Sequence, residues 1–106
     1  MAYSEFLESA MASHRTAPDH DHVRAFLIAL AALEEARQDR PSSLDLLATE
    51  LAYDRALINL SLHLGIDTGP ERFNVPGRER DRLHRVVAES LPALGQELYA
   101  AGLIEE

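Results

Sequence analysis

The chain contains no cysteine and no lysine among its 106 residues. Without cysteine, disulfides and thiolate nucleophiles are excluded, and the composition suits a reducing cytoplasm. Without lysine, all ten basic residues are arginines. Together with the abundance of alanine and leucine, that matches the coding bias of a GC-rich bacterial genome. The five glycines are scattered, so there is no glycine-rich loop to cradle a phosphate. No apolar run approaches the ~18 residues that suggest a membrane span. The opening MAYSEFLESAMASHR has no basic region ahead of an apolar core, and Glu5 and Glu8 interrupt it. No signal peptide is therefore expected.

Positive charge is also in short supply. The formal net charge is -8, which repels phosphate backbones and anionic lipid surfaces. Neither a nucleic-acid nor a membrane partner is expected. Nucleophilic catalysis has no visible vehicle, since the chain has neither a Gly-x-Ser-x-Gly turn nor a serine set beside a histidine in a recognisable turn. The expectation is a protein that is not an enzyme and carries no cofactor.

What the chain has is apolar surface at helical spacing. Hydrophobic residues make up 46% of the sequence, too many for a disordered chain. Its length fits one domain, 1–106, with a core of its own. The stretch Ser43 to Leu64 organises the rest. At ~100° per residue, Leu44, Leu47, Leu51, Ile58 and Leu62 fall on one face. Leu46, Tyr53, Leu57, Leu60 and Leu64 fall on another, ~150° away. A helix apolar on two sides has to be covered on two sides, which predicts the central helix of a bundle. Ser42 or Ser43 supplies the N-cap. Gly65 followed by Ile66 reads as a Schellman stop.

Around it the pattern predicts an all-α bundle of four helices, or five if Pro92 breaks the last one. A short amphipathic helix from Tyr3 to His14 shows Tyr3, Phe6, Leu7, Ala10, Met11 and His14 on one side. It is marginal alone, so residues 1–17 are expected to dock on the bundle or on a partner subunit. A second helix from Asp19 to Arg40, capped by Asp19 or Asp21, carries Val23, Phe26, Leu27, Leu30 and Leu33. Beside them runs a stripe of Ala25, Ala29, Ala32 and Ala36, narrow enough for close approach. A strip of small or polar residues on the central helix, including Asp45, Ala52, Ala56, Asn59 and His63, is the expected counterpart. The loop Asp67 to Pro76 is expected to anchor through Phe73, with Asp67 capping a turn that begins at Pro70. The last region, from Val75 or Pro76 to Ala101, presents Leu83, Val86, Val87, Leu91, Leu94 and Leu98 on one face. Pro92 kinks it, or breaks it with Ser90 as the new cap. Gly102 and Leu103 repeat the stop signal. No run alternates polar and apolar residues between hairpin turns, so no sheet is expected.

Several clusters bear chemistry, each with a plain structural alternative. Asp19, His20, Asp21 and His22 have the donor types for a transition metal. Two histidines two apart in a regular helix diverge by ~200°, so the alternative is an exposed helix cap. Asp81 and His84 have the i, i+3 spacing of di-iron bundles, but no Glu-x-x-His accompanies them; the plain reading is a solvent-facing Asp81 and a boundary His84. Arg55 falls within the first apolar face of the central helix. With Asn59 and His63 it is a candidate clamp for a small anionic ligand, or else a structural ion pair to Glu34, Glu35 or Glu50 or a side chain snorkelling to the surface. His63 is the histidine expected to be most buried. Arg78, Arg82 and Arg85, near Arg72 and Arg80, form either a basic docking patch or an ordinary solvated face.

The surplus apolar surface sets the functional expectation: a small cytoplasmic protein that mediates protein–protein interaction, foremost as a homodimer. Tyr3, Phe6, Leu7, Met11 and the alanine stripe are the expected contact surface. The alternative is a bundle that binds a small anion or a metal ion.

Overall fold

A computed structural model describes residues 2–13, 21–39 and 42–104. His14, Asp19, His20 and Arg40 of the sequence reading lie outside them. Among the described residues the fold is all-α, with five helices: α1 (Tyr3–Ser13), α2 (His22–Asp39), α3 (Ser43–His63), α4 (Pro76–Ser90) and α5 (Pro92–Ala100). One 3₁₀ turn, Pro70–Arg72, interrupts the loop between α3 and α4.

The helix ends follow the local chemistry. The Asp21 carboxylate accepts a hydrogen bond from the Arg24 amide at 3.0 Å, which caps α2 and offsets an unpaired donor. Ser42 does the same for α3, its hydroxyl accepting from the Asp45 amide at 3.1 Å. At the other end of α3, Gly65 has φ +81°, a left-handed conformation that glycine adopts without steric cost. It lets the Gly65 amide reach the Leu62 carbonyl at 3.0 Å and the Ile66 amide reach Ser61 at 2.9 Å, the two bonds of a Schellman stop. Gly102, with φ +75°, repeats the arrangement after α5, its amide reaching Tyr99 at 3.0 Å while Leu103 reaches Leu98 at 2.9 Å.

Pro92 breaks the last helical region rather than kinking it. The break falls at Leu91, extended at φ -133° and ψ 87°, and Pro92 opens α5. Ser90 does not cap α5: Leu91 occupies the cap position and no side chain bonds there. Proline fits the first helical position because its missing N–H would be unpaired there anyway. Asp67 likewise does not cap the 3₁₀ turn, whose N-cap is Gly69; its carboxylate instead pairs with Arg72 at 2.7 Å.

The core gathers Leu7 from α1, Phe26, Leu30 and Leu33 from α2, and Tyr53, Leu57, Ile58 and Leu60 from α3. Phe73 from the loop, Leu83 and Val87 from α4, and Leu94 and Leu98 from α5 complete it. Phe73 is fully buried, the anchor expected of the loop. The central helix α3 pairs most extensively with α2, while α1 lies on α3 and on the 3₁₀ turn, and α4 packs against α5. Of the alanine stripe on α2, Ala25, Ala29 and Ala36 are half-buried and Ala32 is exposed.

The two faces of α3 are not covered alike. Tyr53, Leu57 and Leu60 of the second face are fully shielded. On the first, Ile58 is buried, Leu47 and Leu51 are half-buried, and Leu44 and Leu62 are 75% and 49% exposed. Within the chain the first face is therefore closed at its centre and open at its two ends, Leu44 and Leu62.

Candidate functional site

Among the described residues the densest polar chemistry lies inside the fold. Tyr53 and Asp54 are consecutive on α3, so their side chains leave the helix ~100° apart and meet different partners. Arg80 and His84 are one turn apart on α4 and lie on the side that carries Leu83 and Val87 into the core. Packing α4 toward α3 therefore delivers a guanidinium and an imidazole to the carboxylate and the phenol.

Asp54 is completely buried. Arg80 holds it with both prongs of its guanidinium, Nε to Oδ1 at 2.7 Å and Nη2 to Oδ2 at 2.6 Å. The Tyr3 hydroxyl of α1 donates a further hydrogen bond to Oδ2. Three hydrogen bonds, two of them from a cation, thus meet the carboxylate inside a low-dielectric core. Burial pushes the Tyr3 phenol far above its ordinary range, and the Asp54 charge adds to the effect. Burial opposes the charge on Arg80, but hydrogen bonding and attraction from Asp54 overcome it and raise its pKa.

Beside this triad the Tyr53 hydroxyl lies 2.6 Å from His84 Nε2. The Phe26 ring covers Tyr53, with centroids 5.4 Å apart. His84 is 1% exposed, and its Nδ1 is buried without a hydrogen-bond partner among the described residues. Burial, seconded by the Arg80 charge, lowers the His84 pKa to about 4. Its imidazole is therefore neutral at pH 7. Burial likewise raises the Tyr53 phenol above its usual range, with Asp54 again adding to the shift.

A second polar knot ties the loop to α4. Glu79 accepts from Arg82 Nε at 2.9 Å, from Arg82 Nη2 at 2.7 Å and from the Thr68 hydroxyl at 2.8 Å. The Arg82 hydrogen bond is the main reason the Glu79 carboxyl titrates below its normal range. Arg82 also reaches the Asp67 carbonyl at 2.9 Å. Arg72, Arg80 and Arg82 of the supposed basic patch are thus each paired within the chain, which leaves Arg78 and Arg85 exposed.

The chemistry available to these groups follows from their surroundings. Asp54 accepts three hydrogen bonds and is shut off from water, and His84 is 1% exposed. Both act here as fasteners: one bolts α1 and α4 to α3, the other bolts α4 to α3.

Several sequence expectations move accordingly. His63 is exposed, not buried; it ends α3, and its ring faces His22 at the start of α2 with centroids 4.8 Å apart. Among the described residues the buried histidine is His84, which is no boundary residue. Arg55 is half-buried on the outer face of α3 and forms no ion pair among the described residues. The arginine paired inside the fold is the half-buried Arg80 instead. Arg55, Asn59 and His63 share one side of α3 at i, i+4 and i+8, on an open surface. Asp21 caps α2. Leu7 is fully buried against its own chain, Met11 packs on the core, and Phe6 is 39% exposed. Tyr3, expected on a contact surface, is occupied with Asp54. Among the described residues no cluster of three or more histidine or carboxylate side chains is placed to hold a metal ion. No helix of the described residues is long and apolar enough to cross a membrane. Comparison with protein-family models, with curated proteins and with solved structures finds no match.

Proposed function

We propose that the chain is a small, non-catalytic cytoplasmic protein that self-associates as a homodimer, and that the outer face of α3 is the contact. The cytoplasmic placement rests on the absence of cysteine. The observation that carries the contact is the alignment of Leu44 and Leu62. They are 75% and 49% exposed, five turns apart on one line of the helix, with Leu47 and Leu51 half-buried between them. Ile58 on the same side is buried, so the exposure falls on two apolar patches ~27 Å apart, which a partner lying along α3 would cover together. Arg55 sits in that line without an ion pair among the described residues, ready for a carboxylate on the partner.

Charge insertion tests the surface. Leu44→Glu and Leu62→Glu both replace exposed side chains, so the helical circular dichroism should be unchanged. The double variant should sediment as a monomer at concentrations where the wild type is a dimer. A double variant that dimerises as well as the wild type would remove α3 from the interface.

A further inference from the structure

The start of α2 and the end of α3 bring two histidines together. His22 opens α2 and His63 closes α3, and their ring centroids lie 4.8 Å apart with the planes tilted by 39°. The two helices are joined through residues 40–42, so this pair stands at the open end of the hairpin, away from the connection. Sequence periodicity alone did not join them, because they lie on different helices.

We infer that His22 and His63 form a two-imidazole site for a borderline divalent transition-metal ion such as Zn²⁺, Ni²⁺ or Cu²⁺. Imidazole nitrogens bind such ions at ~2.0–2.1 Å. Two rings sharing one ion at angles between square-planar and tetrahedral then have centroids ~4.5–5.2 Å apart. The observed separation lies within that interval. The terminal ring torsion of histidine is broad and soft, so the nitrogens can turn onto a common ion while both helices stay in place. His63 is exposed and His22 half-buried, which gives the ion a path from solvent and room for water at its remaining positions. The net charge of -8 favours cations near this surface. Imidazole donors select the borderline ions over Ca²⁺ and Mg²⁺, which prefer oxygen. The ion would clip the open end of the α2–α3 hairpin, stabilising the folded state because the unfolded chain holds no such pair.

The test is calorimetric titration of the chelator-treated full chain with Zn²⁺ alone, with thermal unfolding followed in parallel. The site predicts one Zn²⁺ per chain and a raised melting temperature with Zn²⁺. It also predicts at least a tenfold loss of affinity in both His22→Ala and His63→Ala. His63→Ala changes an exposed residue, so its fold serves as the control for the more buried His22. Absence of binding at millimolar Zn²⁺ would overturn the inference. So would binding that survives His63→Ala but is lost in His20→Ala, which would locate the ion on the chain ahead of α2 instead.

Discussion

Arg80 grips Asp54 through two parallel hydrogen bonds of 2.6 and 2.7 Å, at a point where the carboxylate has no contact with water. The pair links residues 26 positions apart and, through Tyr3, reaches a third helix. A buried carboxylate is tolerable only while its charge is matched, so the three helices are coupled through one group.

Arg80→Met keeps most of the aliphatic stem but strands the Asp54 charge. Removing one partner of a buried pair costs about 3–5 kcal/mol, and urea unfolding should show a loss of that size. Adding Asp54→Leu should restore part of it, because the double variant no longer buries an unmatched charge. The two changes are therefore expected to be strongly non-additive.

Tyr3→Phe removes one donor from a carboxylate that Arg80 still satisfies. The expected cost is smaller, about 1–2 kcal/mol, and it should be local. α1 is held by Tyr3, Leu7 and Met11 packing on the core, by the buried Ser4, and by this hydrogen bond. Amide hydrogen exchange should speed up across α1 while α3 and α4 keep their protection.

His84 makes stability depend on pH. Its pKa is about 4 in the folded chain and ~6.5 when unfolded. As pH falls, the unfolded chain takes up the proton first, which favours unfolding. The contribution is therefore intact above ~6.5 and is lost progressively between ~6.5 and 4, amounting to about 3 kcal/mol at most. Denaturation midpoints measured across that range should fall for the wild type and stay flatter for His84→Gln. Glu79, whose carboxyl is depressed by Arg82, adds a loss in the same direction that begins as pH falls through the ordinary glutamate pKa of ~4.3.

The helices and most of their ends were legible because they depend on local chemistry, though Ser90 and Asp67 do not cap the turns that follow them. The Ser42 cap, the Gly65 and Gly102 stops, the break at Pro92 and the Phe73 anchor all lie within a few residues of the signal that announces them. Pairing across the fold was less legible. Arg55 and Arg80 each sit beside leucines at helical spacing, and periodicity does not say which apolar face a neighbour will cover. One signal was available: Arg80, Leu83, His84 and Val87 follow an i, i+3, i+4, i+7 pattern on α4, which places a cation and an imidazole on its buried side. His63 misled because it is the last residue of α3, where the first residue of α2 reaches its ring but the side chain stays exposed.

The central claim is self-association through α3, and sedimentation velocity of the untagged wild-type chain over a wide concentration range tests it most directly. The account predicts a species of twice the 11.8 kDa chain mass at micromolar concentration, dissociating on dilution. A single species at the mass of one chain, up to the highest concentration reached, would contradict it.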